Sequence, residues 1–388
     1  MHRVYLDNNA TTPVLPEVFE AMRPFFDAQF GNASSIHHHG QQTRAAVEDA
    51  RESVAALLGC RSPEIVFTSG GTEADNLAVA GLVAPGDHII TSSIEHHAVL
   101  LACRHMESIG CELTVLPSDR RGTIDPDDVR RALRPNTKLI SVMMANNETG
   151  ILQPVEEIAK IAVEAGVTFH TDAVQAAGKV PIDVSRIGCH ALSISGHKIH
   201  APQGIGALYV RKGTQIKPLF HGGRHERSRR AGTENVPGIV ALGKAAQIAM
   251  RAFERGDHKK MAAMRDRLQD GILAQVDEAG ISGDGARVPN TTNIHFAHVE
   301  GESMVIALDL KGLAVSTGAA CSSGAIEASH VLVAMGLEKE KARGSLRFSL
   351  GKQTVEEDID FALSIVPETV ARLRELSPAY GKQVLAGN

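Results

Sequence analysis

Apolar residues along this chain fall into two repeating patterns. Short, nearly continuous apolar runs at 64–68, 88–91, 138–144, 167–170, 190–194 and 207–210 read as buried strands. Between them, apolar residues recur every three to four positions over 17–26, 43–59, 77–82 and 155–165, which is helical spacing. Strand and helix alternate from about residue 65 to residue 210, and this predicts βαβ crossovers and a mostly parallel sheet. The run 138–144 has almost no polar break, as expected where helices cover both faces of a sheet. Ligand groups in such a sheet gather at the carboxyl ends of the strands. Past residue 210 the pattern changes. A Gly- and Arg-rich stretch at 221–235 leads into one long helix expected over 236–271. A smaller unit should follow, with strands at 292–296 and 312–316 and a helix at 301–310.

A chain of 388 residues is long for a single core and suits two domains. We expect a large one over 16–260 and a small one built from 1–15 and 261–388. The formal net charge of −5 gives no reason to expect nucleic acid or an anionic membrane as partner. No apolar run approaches the length of a membrane span, and the first residues lack a signal-peptide layout, so a cytoplasmic protein is expected. Cys60, Cys103, Cys111, Cys189 and Cys321 are odd in number and lack C-x-x-C spacing, which argues against a disulfide framework or a zinc ribbon.

Candidate chemistry begins at Lys198, in Ser193-Ile194-Ser195-Gly196-His197-Lys198. At the mouth of a strand a lysine loses solvation, its pKa falls, and a nucleophilic amine suited to a Schiff base is freed. Taken alone, Lys198 reads better as a surface residue of a connecting loop. Asp172, at the end of the preceding strand, reads alone as a turn or cap residue. Together, on consecutive strand ends, they are the pair a pyridoxal phosphate site requires: an amine for the aldehyde, and a carboxylate that keeps the ring nitrogen protonated. Upstream, a strand, the small residues 69–72 and a helix would present backbone N–H groups and a helix dipole to a phosphate. No Walker lysine or G-x-G-x-x-G accompanies them, which disfavours a nucleotide. Three successive histidines, His37 to His39, invite a metal, but sequence neighbours project apart and no carboxylate or cysteine cluster joins them. The Gly/Arg stretch has no aromatic to stack a base. Arg347, on an apolar strand, needs an anion, either internal or a ligand's.

The D-A-V-Q of 172–175, the S-I-S-G-H-K-I-H-A-P-Q-G-I-G of 193–206, the Y-L-D-N-N-A-T-T-P of 5–13 and the R-F-S-L-G of 347–351 resemble the cysteine desulfurases, in the class V branch of fold type I pyridoxal phosphate enzymes. The long loop before Ser329-His330-Val331-Leu332 is similar to that of group I, the nitrogen-fixation and iron–sulfur-cluster type. The resemblance implies an α/β fold, with a mostly parallel central sheet in a large domain and a smaller α+β domain. By that resemblance Lys198 carries the cofactor with Ser195 and His197 beside it, and Gly71 and Thr72 hold its phosphate. His96 stacks on the ring and moves protons, a task that suits a group titrating near neutrality. Asn147 and Gln175 flank the phenolic oxygen, and Thr233 reaches the phosphate from the partner of a homodimer. Arg347 and Asn147 take the substrate carboxylate, and Cys321 forms the persulfide. His97 belongs behind the site. Ala33, Ala319 and Ala328 depart from the Pro, Ser and Pro usual at these positions.

The activity so implied converts L-cysteine to L-alanine and an enzyme-bound persulfide, with sulfur passed to an acceptor protein such as an iron–sulfur scaffold and no metal at the site. Transfer RNA thiolation and DNA phosphorothioation are the other destinations for the sulfur, and selenocysteine is a second substrate to consider. Two rivals stay open: a class V aminotransferase or lyase with Cys321 incidental, and an idle partner-binding subunit that keeps the fold.

Overall fold

The computed structural model describes residues 3–318 and 328–376. Among these residues seven strands form one sheet, in the spatial order Ile65–Thr68, Gly206–Val210, Ala191–Ser195, Thr168–Asp172, Thr137–Ser141, His88–Ser92 and Glu112–Leu116. Neighbours run parallel, except that Gly206–Val210 runs against both of its partners. That exception matters for the site. Antiparallel neighbours need no helical crossover, so the chain returns from Ser195 to Gly206 through a short loop, and that loop carries Lys198. Ile65, Ile89, Ile90, Leu139, Ile140, Phe169, Leu192 and Ile194 are fully buried in the sheet. Each contributes about 1.5–3 kcal/mol by leaving water.

A second sheet joins Ser345–Ser349, Thr291–Phe296 and Ala279–Ile281, all antiparallel. Its core is separate and includes Leu6, Phe296, Leu346, Phe348 and Val366. Val4–Tyr5 pairs in parallel with Leu313–Ala314, which builds the N-terminal residues into this second unit.

Several elements differ from the sequence pattern. The helix expected over 236–271 is two helices, Val236–Glu254 and Asp257–Gln275, because Gly256 turns the chain at φ 73°. The strand expected at 312–316 shrinks to Leu313–Ala314, and the one at 138–144 ends at Ser141. Helix Pro16–Met22 passes into a 3₁₀ turn, Arg23–Phe26, where Pro24 has no N–H to give. Helix His38–Leu58 starts before residue 43. The ring of His37 accepts the Gly40 N–H as its N-cap, and Gly59 closes it at φ 68°. Edge strand Glu112–Leu116 and helices His97–Ser108 and Glu356–Leu376 had no counterpart in the expected pattern.

Candidate active site

One cavity opens at the carboxyl ends of the central strands, between the two cores. Gly71, Thr72, His96, Asn147, Asp172, Gln175, Ser195, His197, Lys198 and Arg347 all border it. Residues distant in sequence meet there because consecutive strands end at one level of the sheet. Asp172 is the last residue of its strand, and Lys198 follows Ser195 by one short turn.

The Lys198 amine donates to the main-chain oxygens of Asn9 (2.6 Å) and Ala10 (2.7 Å). Burial, and then the positive Arg347, bring its pKa down to about 8, against the pull of Asp7 and Asp172. A reactive free amine is thereby present near neutral pH. The Asp172 carboxylate accepts the Val174 N–H at 2.8 Å, and burial raises its pKa to about 6. Asp75 lies on the same cavity and is fully enclosed. Burial, and then the charge of Asp172, hold its carboxyl well above the usual range.

His96 caps helix His97–Ser108, its Nδ1 accepting the Ala98 N–H at 3.1 Å. A ring that accepts at Nδ1 carries its proton at Nε2 when neutral. Burial, and then the neighbouring Lys198 charge, lower its pKa to about 4. This corrects the expectation of a group titrating near neutrality: the pattern shows a histidine at a strand end but not its burial beside a cation. His197, similarly lowered to about 4, meets the Thr11 hydroxyl at 3.1 Å. His97 does not stand behind the site. It borders the cavity and stacks on His330, with centroids 4.7 Å apart.

The turn before helix Gly71–Leu82 presents the first N–H groups of a helix that has no side-chain cap. An added Cβ at Gly71 would stand 2.8 Å from Val174 Cγ2, and one at Gly206 would stand 2.7 Å from Gly70 Cα. Neither position admits a side chain, so backbone can line the cavity closely. Arg347 donates Nη2 to Asp7 (2.7 Å) and Nη1 to the Asn147 carbonyl (3.0 Å). Its Nε and the Asn147 Oδ1 are buried without partners among the described residues. Asp7 is thus the internal carboxylate considered from sequence, and the guanidinium still has a donor to spare.

These observations fit pyridoxal phosphate. Uncapped helix N–H groups meet a phosphate, a pKa-lowered amine meets an aldehyde, and a buried carboxylate meets a ring nitrogen. Gly71, Thr72, Lys198 and Asp172 would hold it, with Ser195 and His197 close by.

One expected site residue stands outside this cavity, and another lies outside the described residues. Thr233 is exposed and does not border the cavity. The Gly/Arg stretch that carries it packs on its own subunit. It is tied there by a buried Arg51–Glu226 pair (2.7 Å and 2.8 Å) and by Arg230 to Glu73 (2.8 Å). Cys321 lies outside the described residues, while Gly318 before it and His330 after it border the cavity. The other thiols are poor nucleophiles: burial raises Cys60, Cys103 and Cys189 to about 12, and raises Cys111 as well. Asn9, Asp75, Glu148 and His330 border the site without having been singled out. Asn9 and His330 lie inside motifs already quoted, and only tertiary contact reveals their part.

The family described as Aminotransferase class-V matches residues 4–361. A "Cysteine desulfurase IscS" of Dictyoglomus turgidum is 49% identical over 380 residues, covering 97% of this chain and 96% of that protein. A "Cysteine desulfurase NifS" of Azotobacter vinelandii is 48% identical over 383 residues, covering 97% and 95%. The solved structure named "NIFS-LIKE PROTEIN" superposes with a TM-score of 0.89 at 36% identity, covering 96% of this chain and 100% of that one. A match spanning both cores, on a cavity whose amine and carboxylate stand at adjoining strand ends, places the chain in the class-V aminotransferase family of pyridoxal phosphate enzymes.

Proposed function

We propose that the protein is a cysteine desulfurase that turns L-cysteine into L-alanine and leaves the sulfur on Cys321. The observation that carries this reading is the joint presence, on one cavity, of the lowered Lys198 amine, buried Asp172 and an Arg347 donor not used internally. Names of relatives at about half identity point the same way.

When bound, the cofactor supplies an aldehyde for an amine and a ring that accepts the electron pair of a broken Cα bond. The protein's own groups do the rest. Gly71 and Thr72 N–H groups would hold the phosphate, and Asp172 would keep the ring nitrogen protonated. Arg347 and Asn147 hold the substrate carboxylate, which fixes the orientation of Cα. The Lys198 amine, whose lowered pKa leaves a fraction of it uncharged near neutral pH, takes and returns the substrate proton. His96, neutral with its N–H at Nε2, can donate a hydrogen bond into the cavity it borders. Cys321 thiolate takes the substrate sulfur: an S–S bond forms as the C–S bond breaks, and the carbon skeleton gains protons to become alanine.

The wider proposal has four parts. The protein is a homodimer, an arrangement supported by the exposed Phe26, Phe30 and Ile36 in one stretch of chain. Thr233 serves the partner's phosphate site. The sulfur goes to a protein acceptor, an iron–sulfur scaffold being the reading that the relatives' names favour. The protein is cytoplasmic, in keeping with cysteines that lack disulfide spacing; among the described residues no helix is long and apolar enough to cross a membrane. The domains are placed at 16–260 and at 1–15 with 261–388: Val4 and Leu6 share a core with Phe296 and Phe348, while Val288, Val331, Leu332, Met335 and Ala342 of the last segment pack into the larger core.

The test is product analysis without an added ketoacid. The loaded protein should release alanine and sulfur from L-cysteine in equal amounts, and Lys198→Ala should abolish both together with the visible cofactor band. Amino-group transfer that depends on a ketoacid would refute the reading.

A further inference from the structure

Lys179 follows Gln175 by four residues and turns its side chain inward beneath the cavity. Its Nζ donates to Gln175 Oε1 at 2.5 Å and to Asn9 Oδ1 at 2.9 Å. Asn9 uses every polar atom it has. Its N–H donates to Ser349 Oγ (2.9 Å), and its Nδ2 to Thr291 Oγ1 (2.9 Å) and the Asn147 carbonyl (3.2 Å). Its Oδ1 accepts from Lys179 and from Asn290 Nδ2 (3.1 Å). Its main-chain oxygen accepts from Lys198 Nζ (2.6 Å) and from Gln175 Nε2 (3.0 Å). One residue therefore holds the active lysine by its backbone and Lys179 by its side chain.

We propose that Lys179 is a positioning residue for the reaction: it clamps the Gln175 amide and the Asn9 side chain together, which sets both the donor end of Gln175 and the carbonyl on which Lys198 rests. The inference rests on Lys198 being the amine that carries the cofactor. An amide has two ends of nearly equal shape, one accepting and one donating. With Oε1 turned to Lys179, only Nε2 is left to face Asn9 and the cavity that Gln175 borders. Lys179 suits this task better than a structural ion pair would. Both of its acceptors are neutral amide oxygens, and no carboxylate forms a salt bridge with it among the described residues. Burial, and then the charges of Lys198 and Arg347, hold its pKa well below the usual lysine range. An uncharged amine has two N–H groups, which match two acceptors with none left over.

Lys179→Met keeps the length of the side chain and removes both bonds. The Gln175 amide can then turn over, and the carbonyl under Lys198 loses one restraint. Arg347 is untouched, so the loss should fall on kcat rather than on substrate binding. Four loaded proteins test this: wild type, Lys179→Met, Gln175→Leu and the double variant. Lys179→Met should keep a borohydride-reducible cofactor linkage, with the visible band or its pH midpoint displaced. Its kcat for L-cysteine should fall about tenfold or more while KM stays within about threefold. The double variant should be no worse than the weaker single by more than about twofold, because both changes break one clamp. A wild-type band and kcat in Lys179→Met, a loss carried by KM alone, or losses that multiply in the double variant would overturn the inference. If Lys179→Met does not fold, Lys179→Arg takes its place in the same cycle. Its fork differs in geometry, so the same band displacement and non-additivity are expected. Lys198→Ala separates the two layers of argument. A reducible linkage surviving in that variant would sink the reading of Lys198; its loss, with Lys179→Met unchanged from wild type, would sink this inference alone.

Discussion

At Asp172 stability and chemistry pull in opposite directions. The carboxylate is buried, and its folded pKa is raised from the model-compound value of 3.8 to about 6. A raised carboxyl binds its proton more tightly folded than unfolded, so the folded state is penalised above pH 6, and the penalty fades as pH falls toward 4. Asp172→Asn should therefore raise the melting temperature of the cofactor-free protein at pH 7, with the gain shrinking below pH 6. The same variant should lose turnover, since an amide cannot hold the ring nitrogen protonated. An apoprotein destabilised at pH 7 by this change would contradict the assignment. Lys198 and Asp172 are legible in the sequence because each follows an apolar run directly. His96 is legible as a position but not as a charge state. Lys179 is not legible at all: its partners, Asn9 and Gln175, are 170 and four residues away.

Among the elements, the phosphate-ready turn and the Gly/Arg stretch depend on one another. Glu226 stands at φ 44°, followed by Arg227 and Ser228, also at positive φ, and three such residues in a row are held only by their surroundings. The restraint is visible. The Glu226 carboxylate takes both Arg51 bonds and the Phe67 N–H at 3.0 Å, on the strand that leads into Gly70 and Gly71. Both members of the pair are 4% exposed, so Arg51→Ala leaves a buried carboxylate uncompensated and should cost about 3–5 kcal/mol. Denaturant titration of the apoprotein checks this, and a loss under about 1 kcal/mol would show that the stretch does not depend on the pair. Strands and helices with clean periodicity are legible. The break at Gly256 is less so, since helical spacing continues across it, and strand Glu112–Leu116 is hidden because an edge strand keeps only part of its apolar face.

On the scale of the whole molecule, the fold is legible because strands and helices alternate, and a mostly parallel sheet follows. The partner subunit is not, because Thr233 is exposed and does not border the cavity in its own chain. If Thr233 serves the partner, two damaged chains should complement each other. Lys198→Ala and Thr233→Val, mixed to exchange subunits, would build one site with both residues intact and one with neither. Half of the heterodimer's sites should then hold cofactor and turn over, above the level of either parent dimer. Activity no greater than the average of the parents would place Thr233 on its own subunit's site or on none.

The central claim is that sulfur leaves L-cysteine for Cys321 in a protein that makes alanine. The direct measurement is a single turnover of the loaded protein with L-cysteine, without reductant, followed by alanine assay and peptide mass analysis of alkylated thiols. Alanine should form in step with one added sulfur atom on the Cys321 peptide. Cys321→Ser should still bind cysteine with a spectral change but make no alanine, and Cys60, Cys103, Cys111 and Cys189 should gain no sulfur. Sulfur found on one of those four, or alanine formed at the normal rate by Cys321→Ser, would contradict the claim.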